Sequence, residues 1–410
     1  MSRGAKGGRW VAYGTAAALL LAGCTSGAGG TEPAGATGSG TSGSTDGQTP
    51  STTSAPARPA RLTLSPADGA RDVMPDQPVT VQATTGRLDE VTVRTAGGSA
   101  VEGRVEGSQW TSTGRLAPGS RYSVTTRSTG PDGVGRTARS TFRTHEPAVT
   151  ATYGMVYDGQ TVGVAMPVSL QFDSAVTSAR YRRAIENAVT VTTSPRTQGS
   201  WGWLDDRQLM WRPKSFWKPG TTVTLDAPLT GFQTDEDKWV GSDVSGTMTI
   251  GREQLTTVDI AKHRLRVTRG GETVRSFPVS SGKPGPQTET RSGMKVVIGK
   301  QAEMTMDSET IGIDEGEPGY YKIDTDWNVR VTWTGEFLHS APWSVGAQGS
   351  SNVSHGCVNL APAAARWMYE SSIPGDPVDF TGSSREFQPT EGIGVWQYDY
   401  AGWQEQSALR

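Results

Sequence analysis

Residues able to do chemistry concentrate in one stretch, Ser354-His355-Gly356-Cys357-Val358-Asn359-Leu360. A thiol two positions after a histidine is a candidate nucleophile, because the thiolate is the reactive form and a nearby imidazole lowers its pKa. A second histidine, His339, follows Gly335-Glu336-Phe337-Leu338 and offers another base. The bland reading of Cys357 is an inert buried thiol, the usual state of a free cysteine. His355 is the nearer imidazole in sequence, yet a residue at i−2 on an extended segment shares a face with the sulfur without having to reach it.

Fourteen residues separate His339 from Ser354, so the pattern is His-x14-Ser-His-Gly-Cys-x-Asn. With that many fixed positions it resembles the signature of the L,D-transpeptidases, cysteine enzymes that cross-link bacterial peptidoglycan. The flanks are similar to actinobacterial lipoprotein members of that family: Met306-Asp307-Ser308, Tyr321 six residues before Trp327, and Ser340-Ala341-Pro342-Trp343-Ser344-Val345-Gly346-Ala347-Gln348-Gly349. The resemblance is strong from near Arg252 to the end and looser before it. Ile311 departs from the family, in which a tyrosine often stands at that place in the flap.

The resemblance implies a role for each residue. Cys357 would attack an acyl carbonyl, with His339 as the general base that later protonates the leaving amine. The backbone carbonyl of Ser340 would orient that base, so the Ser340 side chain matters less than His339. Backbone amides of His355, Gly356 and Cys357 would form an oxyanion hole, and a glycine there lets substrate approach closely. Tyr321, Thr334, Gly335 and Asn359 would contact substrate, and Met306 and Trp343 would line the pocket under a flap between strands. For Tyr321, Met306 and Trp343 simple core packing is the competing reading. The implied donor is a tetrapeptide stem whose third residue, a diamino acid, is acylated onto the thiol with loss of D-alanine. An amine of a neighbouring stem would resolve the thioester into a 3-3 cross-link, and carbapenem-type inhibitors would acylate the same sulfur.

Other readings share much of this pattern. An L,D-carboxypeptidase would use the same thioester with water as acceptor, and attachment of another protein would again differ only in the nucleophile. A non-catalytic wall-binding lipoprotein is a different class, and the presence of both His339 and Cys357 at full spacing argues against it. In a papain-like peptidase the cysteine precedes the histidine, whereas here it follows.

The elements that must position these residues are β-rich. Hydrophobic residues make up 34% of the 410 positions while Gly reaches 52 and Pro 24, which favours many short strands joined by turns. A formal charge of −2 with no basic block sets nucleic-acid binding aside. The fold class expected is mainly β: two immunoglobulin-like β-sandwich domains, then a β-rich L,D-transpeptidase catalytic domain with one short helix after the nucleophile.

Arg3, Lys6 and Arg9 precede an apolar run from Val11 to Ala22, which reads as a signal sequence over 1–24. It ends in Leu21-Ala22-Gly23-Cys24, which resembles a bacterial lipobox, so Cys24 is the expected lipidation site. The membrane would then be a partner through acyl chains, and the enzyme would stand on the extracytoplasmic face and reach into the wall. With one cysteine lipidated and one catalytic, no structural disulfide is expected. Residues 25–60 are mainly Gly, Ser, Thr, Ala and Pro, with almost no large apolar residue, and read as a disordered tether.

Period-two alternation with Gly, Pro and Asp turns marks a first sandwich over 61–147 and a second over 148–250. The second includes a possible short helix from Ser178 to Asn187. Its Trp201, Trp203, Trp211, Phe216 and Trp217 read as core and domain interface rather than a sugar-stacking surface. Asp235-Glu236-Asp237 lacks the alternating ligand spacing of a Ca²⁺ loop and reads as a solvated turn, so no metal is assigned, and no cofactor is implied. The catalytic domain is expected over 251–382, with a helix from Ala361 to Tyr369 that has Pro362 in its first turn. A tail over 383–410, rich in Trp and Tyr, should pack back on the preceding domains.

Overall fold

Alternating apolar and polar residues build three successive β-rich groups, each burying the inward half of its strands. The computed structural model describes residues 58–410. The expected signal sequence with Cys24, the tether up to residue 57, and the side chain of Ile311 lie outside the described residues.

The first group pairs Arg61–Ser65, Thr80–Thr85, Gln109–Ser112 and Gly103–Glu106 in one sheet, and Ala100–Val101, Arg87–Thr95, Arg121–Thr129 and Gly135–Arg143 in another. Between them lie Val81, Val93, Trp110, Leu116, Tyr122 and Phe142. Tyr122 stacks on Phe142 at 5.1 Å, and its hydroxyl accepts from the Ala117 amide at 2.7 Å, so its polar end is satisfied inside the core.

In the second group a sheet of Tyr153–Val156, Val168–Phe172, Gln208–Pro213 and Gly199–Trp203 faces one of Thr161–Val162, Val244–Ile250, Thr222–Ala227 and Thr190–Ser194. A helix, Ala179–Ala188, starts after Ser178, close to where the sequence predicts it. Trp203, Trp211 and Trp217 are buried, and Trp211 stacks on Trp217 at 5.3 Å. These tryptophans are core, as their size favours.

The third group positions the chemistry. Five strands run in the order Glu272–Pro278, Arg264–Arg269, Leu255–Asp259, Pro377–Thr381, Gly293–Val296. The last strand in sequence, Pro377–Thr381, is therefore interior to the sheet and parallel to Leu255–Asp259. A second sheet has the order Gly299–Asp307, Lys322–Arg330, Phe337–Ser340, Val358–Leu360. Leu338, Val358, Leu360, Val329 and Val331 are fully buried between the sheets and the helix Pro362–Ser371. Pro362 occupies the first turn of that helix, where a missing N–H costs nothing.

The tail holds more structure than its polar composition suggests. It forms a short helix, Tyr400–Gln404, whose Asp399 cap accepts from the Gly402 amide at 2.7 Å. Trp403 is fully buried against the second sandwich and donates to the Ser200 carbonyl at 3.0 Å.

Candidate active site

The strand Phe337–Ser340 pairs in parallel with Val358–Leu360, bringing His339 opposite Asn359. Neighbouring parallel strands need a crossover of about a dozen residues or more, which is the physical reason for the long spacing between His339 and Ser354. Cys357 is the last residue before its strand begins, so the β-ladder sets its position relative to the base.

Residues 354–357 form a turn held from both sides. Ser354 Oγ donates to the Cys357 carbonyl at 2.6 Å and accepts from the Gly356 amide at 3.1 Å. Thr290 Oγ1 donates to the Gly356 carbonyl at 2.7 Å. Gly356 has φ +135°, a conformation that disfavours any residue with a Cβ. A Cβ there would meet nothing closer than 3.8 Å, so conformation rather than crowding requires the glycine. The Gly356 amide is engaged by Ser354 Oγ. Among the described residues the amides of His355 and Cys357 donate to no protein acceptor, and these two are free for an oxyanion.

His339 is buried, and its Nδ1 lies 2.9 Å from the Ser340 carbonyl. A carbonyl only accepts, so Nδ1 carries the proton and the Nε2 lone pair is left to act as a base. Burial pushes the imidazole down to about 4, against the opposing pull of the Ser340 carbonyl and the Asn359 side chain. The Cys357 thiol donates to the Gly335 carbonyl at 3.4 Å, and burial pushes it up to about 12. Both shifts favour the neutral forms, so the thiol proton has to leave as the sulfur attacks.

His355 stands away from this pair. Its ring packs on Tyr321 at 5.1 Å, and Lys283 Nζ lies 3.5 Å from its Nε2. Burial and Lys283 together lower its pKa. It joins the nucleophile turn to the flap, the segment between the strands Gly299–Asp307 and Lys322–Arg330.

Met306, Tyr321, Thr334, Gly335, His339, Trp343, His355, Gly356, Cys357 and Asn359 all line one cavity of about 640 Å³. Ser340 is buried behind it and contributes its carbonyl. Trp343 is 53% exposed and 6.1 Å from the His339 ring, which makes it a wall of the mouth rather than core packing. Asn359 is buried and donates to Ser344 Oγ at 3.0 Å, so its amide braces the turn Pro342–Ser344 that follows the base strand as well as lining the cavity. Sequence reasoning missed Thr290, which holds the nucleophile turn, and the charged residues Arg291, Glu336 and Arg385, which line the same cavity. Glu336 carried a signal, since it is the one charge in Gly335-Glu336-Phe337-Leu338, a run that is otherwise small or apolar.

Comparisons with known proteins find relatives along most of the chain. Residues 253–379 match the family model of the L,D-transpeptidase catalytic domain, and residues 70–233 match that of a bacterial Ig domain. L,D-transpeptidase 2 of Mycobacterium tuberculosis is 38% identical over 352 residues, covering 85% of each chain. The chain belongs to the L,D-transpeptidase family. It is a cysteine-dependent acyltransferase with Ig-like structure before the catalytic fold. L,D-transpeptidase 5 of the same species is 36% identical over 358 residues, 85% of this chain and 77% of that one. Among solved structures, L,D-transpeptidase 3 from Mycobacterium tuberculosis in complex with a faropenem-derived adduct is 33% identical over 55% of this chain and 95% of that one, with TM-score 0.46.

Proposed function

We propose that this L,D-transpeptidase forms 3-3 cross-links between peptidoglycan stems through a thioester on Cys357. The observation that carries the reading is the contact of His339 Nδ1 with the Ser340 carbonyl, which leaves Nε2 as the base in the cavity that Cys357 also lines. As Cys357 Sγ attacks the carbonyl of the donor's third residue, His339 Nε2 takes the thiol proton. The amides of His355 and Cys357 receive the developing oxyanion. Collapse breaks the bond to the terminal D-alanine, whose amine takes the proton from His339, and a thioester remains. An acceptor amine gives its proton to His339 as it attacks the thioester, and expulsion of the thiolate, reprotonated by His339, closes the cycle.

Carbapenem-type β-lactams fit the same scheme, because ring opening by Sγ follows the first half of it. Cys24 is proposed as the lipidated residue. In that arrangement residues 25–60 tether the enzyme to the extracytoplasmic face of the membrane, and the sandwiches over 61–147 and 148–250 carry the catalytic domain, 251–382, into the wall.

Intact-mass measurement after incubation with a tetrapeptide donor tests the acyl step. An adduct equal to the donor less D-alanine, on Cys357 and absent from Cys357→Ala, is the expected result, with His339→Ala much slower and Ser340→Ala near the parent. No adduct on the parent protein would refute the assignment.

A further inference from the structure

A cluster of buried charges lies against the nucleophile and has no place in the acyl-transfer scheme. Lys295 is fully buried and Glu336 is 3% exposed. Lys295 Nζ is 2.5 Å from Glu336 Oε2, and it also donates to the Arg291 carbonyl at 2.7 Å. The other oxygen, Glu336 Oε1, accepts from the Arg291 amide at 3.0 Å and from its guanidinium at 3.1 Å. Arg291 pairs in turn with Glu391 of the tail at 3.0 Å, and the Glu391 carbonyl accepts from the Trp333 amide at 2.7 Å.

Burying such ions is costly, and well-packed apolar residues of the same volume generally stabilise a fold as well or better. A stability role alone therefore does not account for the cluster, but its location does. Glu336 directly follows Gly335, whose φ of +95° and carbonyl toward the thiol define the turn over 333–336. The turn is fixed by the Glu336 amide donating to Thr332 Oγ1 at 2.8 Å and by the Glu336 carbonyl accepting from Val331 at 3.1 Å. Its carboxylate side chain ties that turn to the strand Gly293–Val296 and, through Arg291, to the tail. The charged groups acting on the thiol are Glu336, Arg330 and Lys295.

We propose that Glu336, pinned by Lys295 and Arg291, is the positioning residue of the nucleophile. It holds the Gly335 carbonyl where it receives the resting thiol proton and keeps the surrounding charge balanced, so that the sulfur stays protonated until His339 takes the proton. This rests on Cys357 as the nucleophile.

In the full-length protein, Glu336→Gln removes the carboxylate charge and leaves the buried Lys295 ammonium without its counter-ion. Maximal acylation of Cys357 by the tetrapeptide donor is expected to fall about ten- to a hundredfold with little change in the half-saturating concentration, as misplacement costs. Alkylation of Cys357 by iodoacetamide is expected to move the opposite way, faster at neutral pH with its pH midpoint lowered. Loss of both rates in step with thermal stability would overturn the proposal, as would no change in either.

Should Glu336→Gln fail to fold, the paired variant Lys295→Met with Glu336→Leu, which removes both charges together, takes its place. Slow acylation in a protein that melts like the parent supports the proposal, and parental acylation overturns it. Alkylation needs no stem peptide, so a parent protein that is alkylated but never acylated would count against the proposed function while the alkylation comparison still decides on Glu336.

Discussion

The two junctions between the β-rich groups are built differently. Where the second sandwich meets the catalytic domain, one apolar core runs across both. Val296 and Ile298 of the catalytic domain and Ile393, Val395 and Trp403 of the tail join the same cluster as Leu170, Phe172, Leu209 and Leu225. The backbones are in contact as well: the Gly163 amide donates to the Pro374 carbonyl at 2.7 Å and the Ala165 amide to Gly375 at 2.9 Å, where a Cβ on either glycine would clash. Arg212 is buried there, donating to the carbonyls of Tyr398 and Asp399 at 3.0 and 2.9 Å and lying 4.5 Å from the Trp396 ring.

The junction between the two sandwiches is polar instead. Its centre is His145, with Nδ1 2.5 Å from Asp72 of the first sandwich and Nε2 2.5 Å from Asp237 of the second. Arg115 lies 4.2 Å over the Phe232 ring, and the first sandwich keeps a core of its own. The difference teaches which parts act as one body. The second sandwich is part of the platform that holds the active site, and the first is a separately packed unit attached through charges.

Trp403→Ala should break this contrast most severely. Emptying a site that is fully buried at the shared core is expected to cost about 3–5 kcal/mol, read by chemical denaturation. The common unfolding transition of second sandwich and catalytic domain should weaken as one, and a loss confined to the tail would count against a shared core.

Removal of residues 61–147 should have a smaller effect. The remaining protein is expected to keep its acylation rate, because neither the cavity nor its supports draw on that sandwich. A marked loss of acylation would mean that the polar junction also supports the site.

The smallest effect concerns His145. Hydrogen bonds to Asp237 and then Asp72 raise its pKa in the folded state. A raised folded pKa gives stability that is fully present below the unfolded value and is lost as pH rises through the folded one. Asp237 is shifted down by the same contact, so its share is lost at the acid end instead. Melting of the first sandwich should therefore fall modestly as pH rises above the ordinary histidine range. His145→Ala should flatten that slope without altering acylation, and an unchanged slope would remove His145 from the junction.

Much of the fold was legible because strands announce themselves locally. The alternation in Arg121–Thr129 and the proline entering Pro362–Ser371 are local signals, and both elements form. The site was legible for a related reason: Cys357, Asn359 and His355 sit in one short run, and the crossover that separates His339 from them has a length that β-topology demands.

Long-range polar pairings were not legible. His145 and Asp237 are 92 residues apart, and Lys295 and Glu336 are 41 apart, with no periodicity to link them. Asp237 read as part of a solvated acidic turn because nothing nearby in sequence supplies its partner. Ser354 looked like a motif position, and its bond to the Gly356 amide appears only once the turn is folded.

The central claim is tested most directly by mass spectrometry of the products formed from a disaccharide-tetrapeptide, with Cys357→Ala alongside. The account predicts a dimer joined through two third-position residues, with D-alanine released, and neither product in the variant. Tripeptide alone would make water the acceptor and the enzyme a carboxypeptidase, contradicting the cross-linking claim, and unchanged substrate would contradict the acyl chemistry assigned to this site.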